Sequence, residues 1–119
     1  MSDAMTHDPN CIFCKIVTRE IPATIIAEDD YCVAFRDLHP QAATHVLVIP
    51  KEHVASLNQV TDPLLPGRLL CFARDVAAAE GIAERGYRVV LNTNADGGQT
   101  VFHLHAHVLG GKAMGWPPG

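Results

Sequence analysis

Three histidines recur at every second position in the stretch Phe102-His103-Leu104-His105-Ala106-His107-Val108. Imidazole can act as nucleophile, proton carrier or metal ligand near neutrality. On an extended strand, side chains alternate between the two faces. His103, His105 and His107 are therefore expected on one face, with Phe102, Leu104, Ala106 and Val108 on the other. An expression tag would lack the interleaved apolar residues. A buried set of imidazoles needs hydrogen-bond partners, which argues against a plain packing role. Catalysis and metal ligation remain.

Other residues with chemical potential lie upstream. Cys11-x-x-Cys14 can place two thiolates on one metal. A zinc site would need two further ligands, which would have to be histidines, and the alternative is a pair of core cysteines. A thioredoxin-type reading lacks the preceding strand and the long following helix. Asp37 stands at the end of an apolar run, where a carboxylate either caps a turn or offers two acceptors to two vicinal donors. The loop Gly98-Gln99-Thr100 either makes a simple turn or presents backbone N–H groups and a hydroxyl to an anion. Cys32 and Cys71, in apolar surroundings, read as small core residues.

These groups must be positioned by regular elements. Ile12, Phe13, Ile16 and Val17 have the spacing of a short helix, closed by Pro22. Two apolar runs, 24–28 and 31–36, flank Asp29-Asp30 as a hairpin, with Tyr31, Val33 and Phe35 on one face. A third strand covers 45–50 and ends at Pro50. Asp62 is a plausible N-cap for an amphipathic helix over 64–85, with Leu65, Leu69, Phe72, Val76 and Ala79 as its apolar stripe and Gly86 as its stop. A fourth strand spans 87–93, and the triad strand runs from 102 to 111. The expected fold is α+β: a five-stranded antiparallel sheet with one short and one long helix. Residues 1–10 read as a flexible terminus, and 11–119 as a single domain with a C-terminal tail.

His-x-His-x-His with apolar x positions resembles the signature of the histidine triad family of nucleotide hydrolases and transferases. The flanks are similar too: Asp96-Gly97-Gly98-Gln99-Thr100 before the triad, Leu109-Gly110-Gly111 and Trp116-Pro117-Pro118-Gly119 after it, and Thr44 to Lys51 with Asp37 upstream. The likeness runs from about Cys11 to the last residue, and is closest to the Hint branch. It implies a purine nucleoside phosphoramidase that cleaves AMP or GMP from an amine. His105 would attack the α-phosphorus and form a nucleotidyl-histidine. His107 would contact the phosphate and leaving group, with His103 and His45 supporting them. Ile12, Phe13, Ile16, Phe35 and Leu38 would form the base slot, and Asp37 would bind the ribose hydroxyls. Asn92, Gly98, Gln99, Thr100 and Val101 would line the phosphate end. The family usually has Ser where Thr100 stands, and the hydroxyl is retained. The resemblance also implies a structural zinc on Cys11, Cys14, His53 and His103, no metal for the chemistry, and a twofold dimer with joined sheets, in which Trp116 either packs locally or reaches the partner's site.

Two other readings stand beside this one. A metal-dependent hydrolase is disfavoured because no Asp or Glu follows Asp96. A nucleotide-binding scaffold with little turnover would share the same residues. Formal net charge of -4 and an isoelectric point near 5.9 leave no basic surface for nucleic acid or anionic membrane. No apolar run approaches bilayer length, and residues 1–10 are polar, so the chain is expected to be cytoplasmic, with its thiols reduced.

Overall fold

The computed structural model describes residues 6–119. Within them five strands, β1 (Ile25–Glu28), β2 (Cys32–Arg36), β3 (Thr44–Pro50), β4 (Tyr87–Val90) and β5 (Ala106–Gly110), pair antiparallel in the order β1-β2-β3-β5-β4. Helix α1 (Ile12–Val17) precedes them, and helix α2 (Leu64–Ala79) connects β3 to β4 after a short 3-10 turn at Leu57–Gln59. A single turn, α3 (Asn94–Gly97), follows β4. The α+β sheet architecture expected from sequence is present.

The central strands are apolar at nearly every position because both of their faces are covered. One face, carrying Cys32, Ala34, Val46, Val48, Ala106 and Val108, packs on Leu69, Phe72, Ala73, Val76 and Ala77 of α2. The opposite face, carrying Val33, Phe35, Leu47 and Ile49, packs on Phe13, Cys14 and Ile16 of α1. Removing such a side chain typically costs about 2–5 kcal/mol. These two layers hold β3 and β5 rigid where the histidines attach.

Several boundaries differ from the sequence reading. Helix α2 stops at Ala79 rather than 85, because Gly81 takes the left-handed conformation (φ 76°) and its N–H closes on Ala78 O. Ile82 then turns back into the core, so close to Gly110 that a Cβ there would stand 2.7 Å from Ile82 Cδ1. Ala73 and Ala77 join the buried stripe, whereas Ala79 is exposed. Asp62 does accept the Leu64 N–H, at 2.9 Å. Cys71 is exposed, on the solvent side of α2, and is no core residue. Tyr31 is also exposed, one residue ahead of the sheet. Strand β4 ends at Val90, leaving 91–93 outside the ladder.

The largest departure concerns the triad. Only His107 lies in β5; Phe102 to His105 precede it in a bent, non-ladder segment. Pro50 terminates β3, and pairing begins at Val48 with Ala106, so the preceding residues bond elsewhere. The Leu104 N–H reaches Val54 O at 2.6 Å. Leu104 is still buried with Ala106 and Val108, but Phe102 is half exposed instead of facing the core. Residues 1–5 of the expected flexible terminus lie outside the described residues. Thr6 to Asn10 are tied down: Thr6 O accepts from His53 N–H and Asp8 O from Cys11 N–H. No described helix is long and apolar enough to cross a membrane.

Candidate active site

His105 is buried just ahead of β5, with the edge of Phe13 against its ring at a centroid distance of 5.2 Å and the ring of His107 at 5.0 Å. Its Nδ1 stands 2.7 Å from the His103 carbonyl oxygen. A carbonyl can only accept, so Nδ1 carries the proton and Nε2 keeps its lone pair. Burial holds His105 below the ordinary imidazole pKa, with the His103 carbonyl and Asp37 pulling the other way. At neutral pH the ring is a neutral base with one free nitrogen.

A second chain of groups begins in the loop after β2. The Gln41 N–H donates to His45 Nδ1 at 2.9 Å, which places the proton of neutral His45 on Nε2. That nitrogen lies 2.9 Å from His107 Nδ1 and 3.3 Å from Asp37 Oδ2. With His107 Nδ1 accepting, the proton of His107 sits on Nε2. A second proton on His107 would have to face the N–H of His45, and burial with His105 and His45 nearby pushes the His107 pKa down to about 4. His107 is thus held as a neutral Nε2–H donor. The Gln41 amide that sets this arrangement was missed in the sequence, since a backbone donor has no side-chain signature.

The ring of His103 points away from this chain. Its Nε2–H donates to Pro50 O at 2.8 Å, and its Nδ1 faces Cys11 Sγ at 3.3 Å, Cys14 Sγ at 3.5 Å and His53 Nδ1 at 3.3 Å. His53 Nδ1 is 3.4 Å from Cys14 Sγ. A tetrahedron with Zn–S near roughly 2.3 Å and Zn–N near roughly 2.05 Å has edges of about 3.3–3.8 Å. The four donor atoms all lie within 4.8 Å of one another and carry no carboxylate, so their chemistry and spacing fit zinc. Metal-binding imidazoles commonly give their other N–H to a carbonyl, as His103 does here. Without metal, burial raises the Cys14 thiol to about 11 and lowers His103 to about 4. Asp37, His45 and His107 also lie within 4.8 Å. There the proton on His45 Nε2 blocks ligation, since it is bonded to His107 Nδ1, with the Asp37 carboxylate alongside.

The remaining sequence candidates divide. Phe13, Ile16 and Phe35 are buried in the core beneath α1, whereas Ile12 is half exposed and Leu38 almost wholly so. Of the five residues expected at the base slot, Ile12 and Leu38 carry most of the accessible surface, and Phe13 lies against the ring of His105. In the loop before the triad, Gly98 has φ 82° and its N–H bonds Ala95 O, while the Gln99 N–H bonds Asn94 O. Those two amides are committed within the loop and are not free for an anion, which corrects that reading. Gln99 is buried, with its side chain clamped to Asn94 N, Ala55 O and Val101 O. Thr100 is exposed and lines an open pocket of about 290 Å³ with Ile12, His53 and Val101. Asn92 is half-buried between β4 and α3. Trp116 is exposed, its ring 6.0 Å from the Arg88 guanidinium that also bonds Gly115 O.

Comparison with known proteins gives consistent findings. Residues 18–114 match the model of the HIT domain family. The chain is 48% identical over 106 residues to the purine nucleoside phosphoramidase of Escherichia coli K12, covering 87% of this chain and 89% of that one. It is 56% identical over 110 residues to an uncharacterised HIT-like protein of Synechococcus elongatus, covering 91% and 96%. A HIT family hydrolase from Legionella pneumophila superposes with a TM-score of 0.89 at 54% identity, covering 92% of this chain and all of that one. A zinc-bound histidine triad family protein from Mycobacterium smegmatis superposes with a TM-score of 0.78 at 33% identity, covering 87% and 76%.

Proposed function

The chain belongs to the HIT domain family, and from that premise we propose that it hydrolyses purine nucleoside 5'-phosphoramidates through a nucleotidyl-histidine intermediate. The observation that carries this reading is the 2.7 Å contact of His105 Nδ1 with the His103 carbonyl, which leaves Nε2 as a free lone pair. A phosphorus centre needs a nucleophile and donors for its non-bridging oxygens. In the first step His105 Nε2 forms a bond to the α-phosphorus, the P–N bond breaks, and the amine leaves with a proton from solvent. The positive charge on the modified imidazole is spread through Nδ1–H to the carbonyl. His107 Nε2–H donates to a phosphoryl oxygen as charge builds there. Water then attacks phosphorus, the Nε2–P bond breaks, and AMP or GMP departs.

Asp37 would accept from the ribose hydroxyls, and the phosphate would meet Thr100 rather than the amides of Gly98 and Gln99. Ile12 and Leu38 would cover the base, with Asn92 and Val101 flanking the phosphate end. None of these steps uses a metal. Zinc on Cys11, Cys14, His53 and His103 would hold the 11–14 and 103 segments together, supplying a structural crosslink of the kind such donor sets provide. The named activity of the Escherichia coli relative supports the substrate class. The position of β4 at the sheet edge supports a homodimer in which two sheets join, with Trp116 of each tail directed to the partner's site. Incubation with adenosine 5'-phosphoramidate should release AMP and ammonia with multiple turnovers. Binding of AMP without any turnover of that substrate would favour the scaffold reading instead.

A further inference from the structure

The sheet face that carries His107 continues beyond it. His107 and Leu109 point to one side of β5, away from Ala106 and Val108 in the core under α2, and across the ladder they pair with Val90 and Arg88. Arg88 ties the C-terminal tail to this face by donating to Gly115 O. Arg88, Val90, Leu109, Lys112 and Met114 line a cavity of about 580 Å³, together with Gln41, whose amide sets the tautomer of His45.

The charges in that cavity are unmatched. Of the nine lysines and arginines, Arg19, Arg36, Lys51, Arg68 and Arg74 stand against carboxylates. Arg88 and Lys112 do not. No carboxylate among the described residues, the terminal one of Gly119 included, reaches ion-pair distance of either. A guanidinium has five N–H donors, and Arg88 spends one on the Gly115 carbonyl. In a chain of net charge -4, a cavity lined by two unpaired cations is a local reversal of sign, and it favours an anionic ligand.

We propose that this cavity receives the substituent of the leaving amine and selects amines that carry a carboxylate, as an amino acid does. This deepens the phosphoramidase reading and rests on it. Leu109 is two residues from His107, roughly 6.8 Å along the strand, and Arg88 lies roughly 4.8 Å across from it. The Arg88 backbone thus stands about 8 Å from that of His107. A phosphate held at His107 is separated from the two cations by that gap, and the substituent on its nitrogen bridges it. Two or three carbons carry a carboxylate about 5 Å beyond phosphorus, within reach of an extended arginine or lysine. Val90, Leu109 and Met114 supply the apolar wall that such a short chain needs. Joining β4 edge to edge with a second copy uses the strand's backbone groups and leaves this face open. The carboxylate takes no part in the covalent step: the P–N bond still breaks on attack by His105 Nε2, and the amine still leaves with a proton from solvent.

The test uses the full-length protein with the adenosine 5'-phosphoramidates of β-alanine and of β-alanine methyl ester, which differ in charge at the far end of the substituent. The readout is the ratio of kcat/KM for the acid to that for the ester. Comparing this ratio between proteins cancels the different leaving abilities of the two amines. Partly exposed ion pairs are each worth a small factor, so Lys112→Gln should lower the ratio by about threefold, and Lys112→Gln with Arg88→Gln by about tenfold. Lys112 is exposed and pairs with no described carboxylate, so its variant tests the idea without disturbing the tail that Arg88 holds. Lys112→Glu should lower the ratio further than Lys112→Gln does. In the unmodified protein the ratio should also fall as salt is raised from about 0.01 M to about 1 M, which shortens the screening length from roughly 30 Å to roughly 3 Å. A ratio that neither the substitutions nor salt moves would overturn the proposal. Absence of turnover on adenosine 5'-phosphoramidate itself would instead overturn the phosphoramidase reading.

Discussion

Two groups of imidazoles share one residue and work in opposite senses. In the Cys11, Cys14, His53 and His103 group, lone pairs converge on a common point, and the protons are turned outward, as with His103 Nε2–H on Pro50 O. In the group of Asp37, His45, His105 and His107, each proton is assigned in sequence and one lone pair, on His105 Nε2, is left pointing at nothing. Convergence makes a ligand site; direction makes a reaction site. His103 belongs to both, since its ring closes the first and its carbonyl orients the second. The same residue type thus takes either role according to which nitrogen a backbone group has already claimed.

If this division holds, the two groups respond differently to damage. His105→Ala should lower turnover by about 10⁴-fold or more while the thermal midpoint barely moves, as steady-state kinetics and calorimetry would record. His103→Ala should injure both regions. It leaves the Pro50 carbonyl unpaired and opens a buried space, lowering stability by about 2–4 kcal/mol in urea denaturation, and it loosens His105 enough to lower kcat as well. Loss of stability with unchanged kcat would separate the carbonyl's role from the ring's.

A metal should act on one group alone. Zinc at about a hundredfold excess over its dissociation constant should stabilise the fold by about 2.7 kcal/mol, with one ion per chain by mass spectrometry. Cys14→Ser should remove that gain, and exhaustive chelation should leave kcat within about twofold of its starting value. Loss of turnover on chelation that zinc restores would favour the metal-dependent hydrolase instead.

The smallest effect concerns pH in the metal-free protein. The unfolded chain takes up protons on histidine below about 6.5, whereas His103 and His107 in the folded chain wait until about 4. Stability should therefore fall as pH drops through that window and stay flat above it. The loss between about pH 6.5 and 5.5 should be about 1–2 kcal/mol. Midpoints that rose on acidification would mean that these imidazoles are charged in the fold.

The sequence carried the sheet well, because the apolar runs that became β2 and β3 are covered on both faces and carry few polar residues. It also brought Cys11, Cys14, His53 and His103 to one place, though only through a resemblance, since positions 92 residues apart share no local periodicity. The alternation rule held for the side chains, since His103 and His105 lie against Phe13 on the α1 side while Leu104 joins Ala106 and Val108 in the core under α2. It overran the strand, because pairing starts only at Ala106 and Phe102 is half exposed. Gly81 could have marked the end of α2, had its left-handed need been weighed against the apolar stripe that continues past it. The amides of Gly98 and Gln99 looked free for an anion because a glycine loop says nothing about which of its N–H groups already close on their own turn.

The central claim is that His105 Nε2 forms the bond to phosphorus. Acid cleaves such a P–N bond, so the protein should be quenched in base during turnover of adenosine 5'-phosphoramidate and its peptides weighed. One adenylyl increment on the peptide that carries His105, absent from His105→Ala, is the predicted result. Turnover at full rate in His105→Ala, or an adduct placed on another residue, would contradict it.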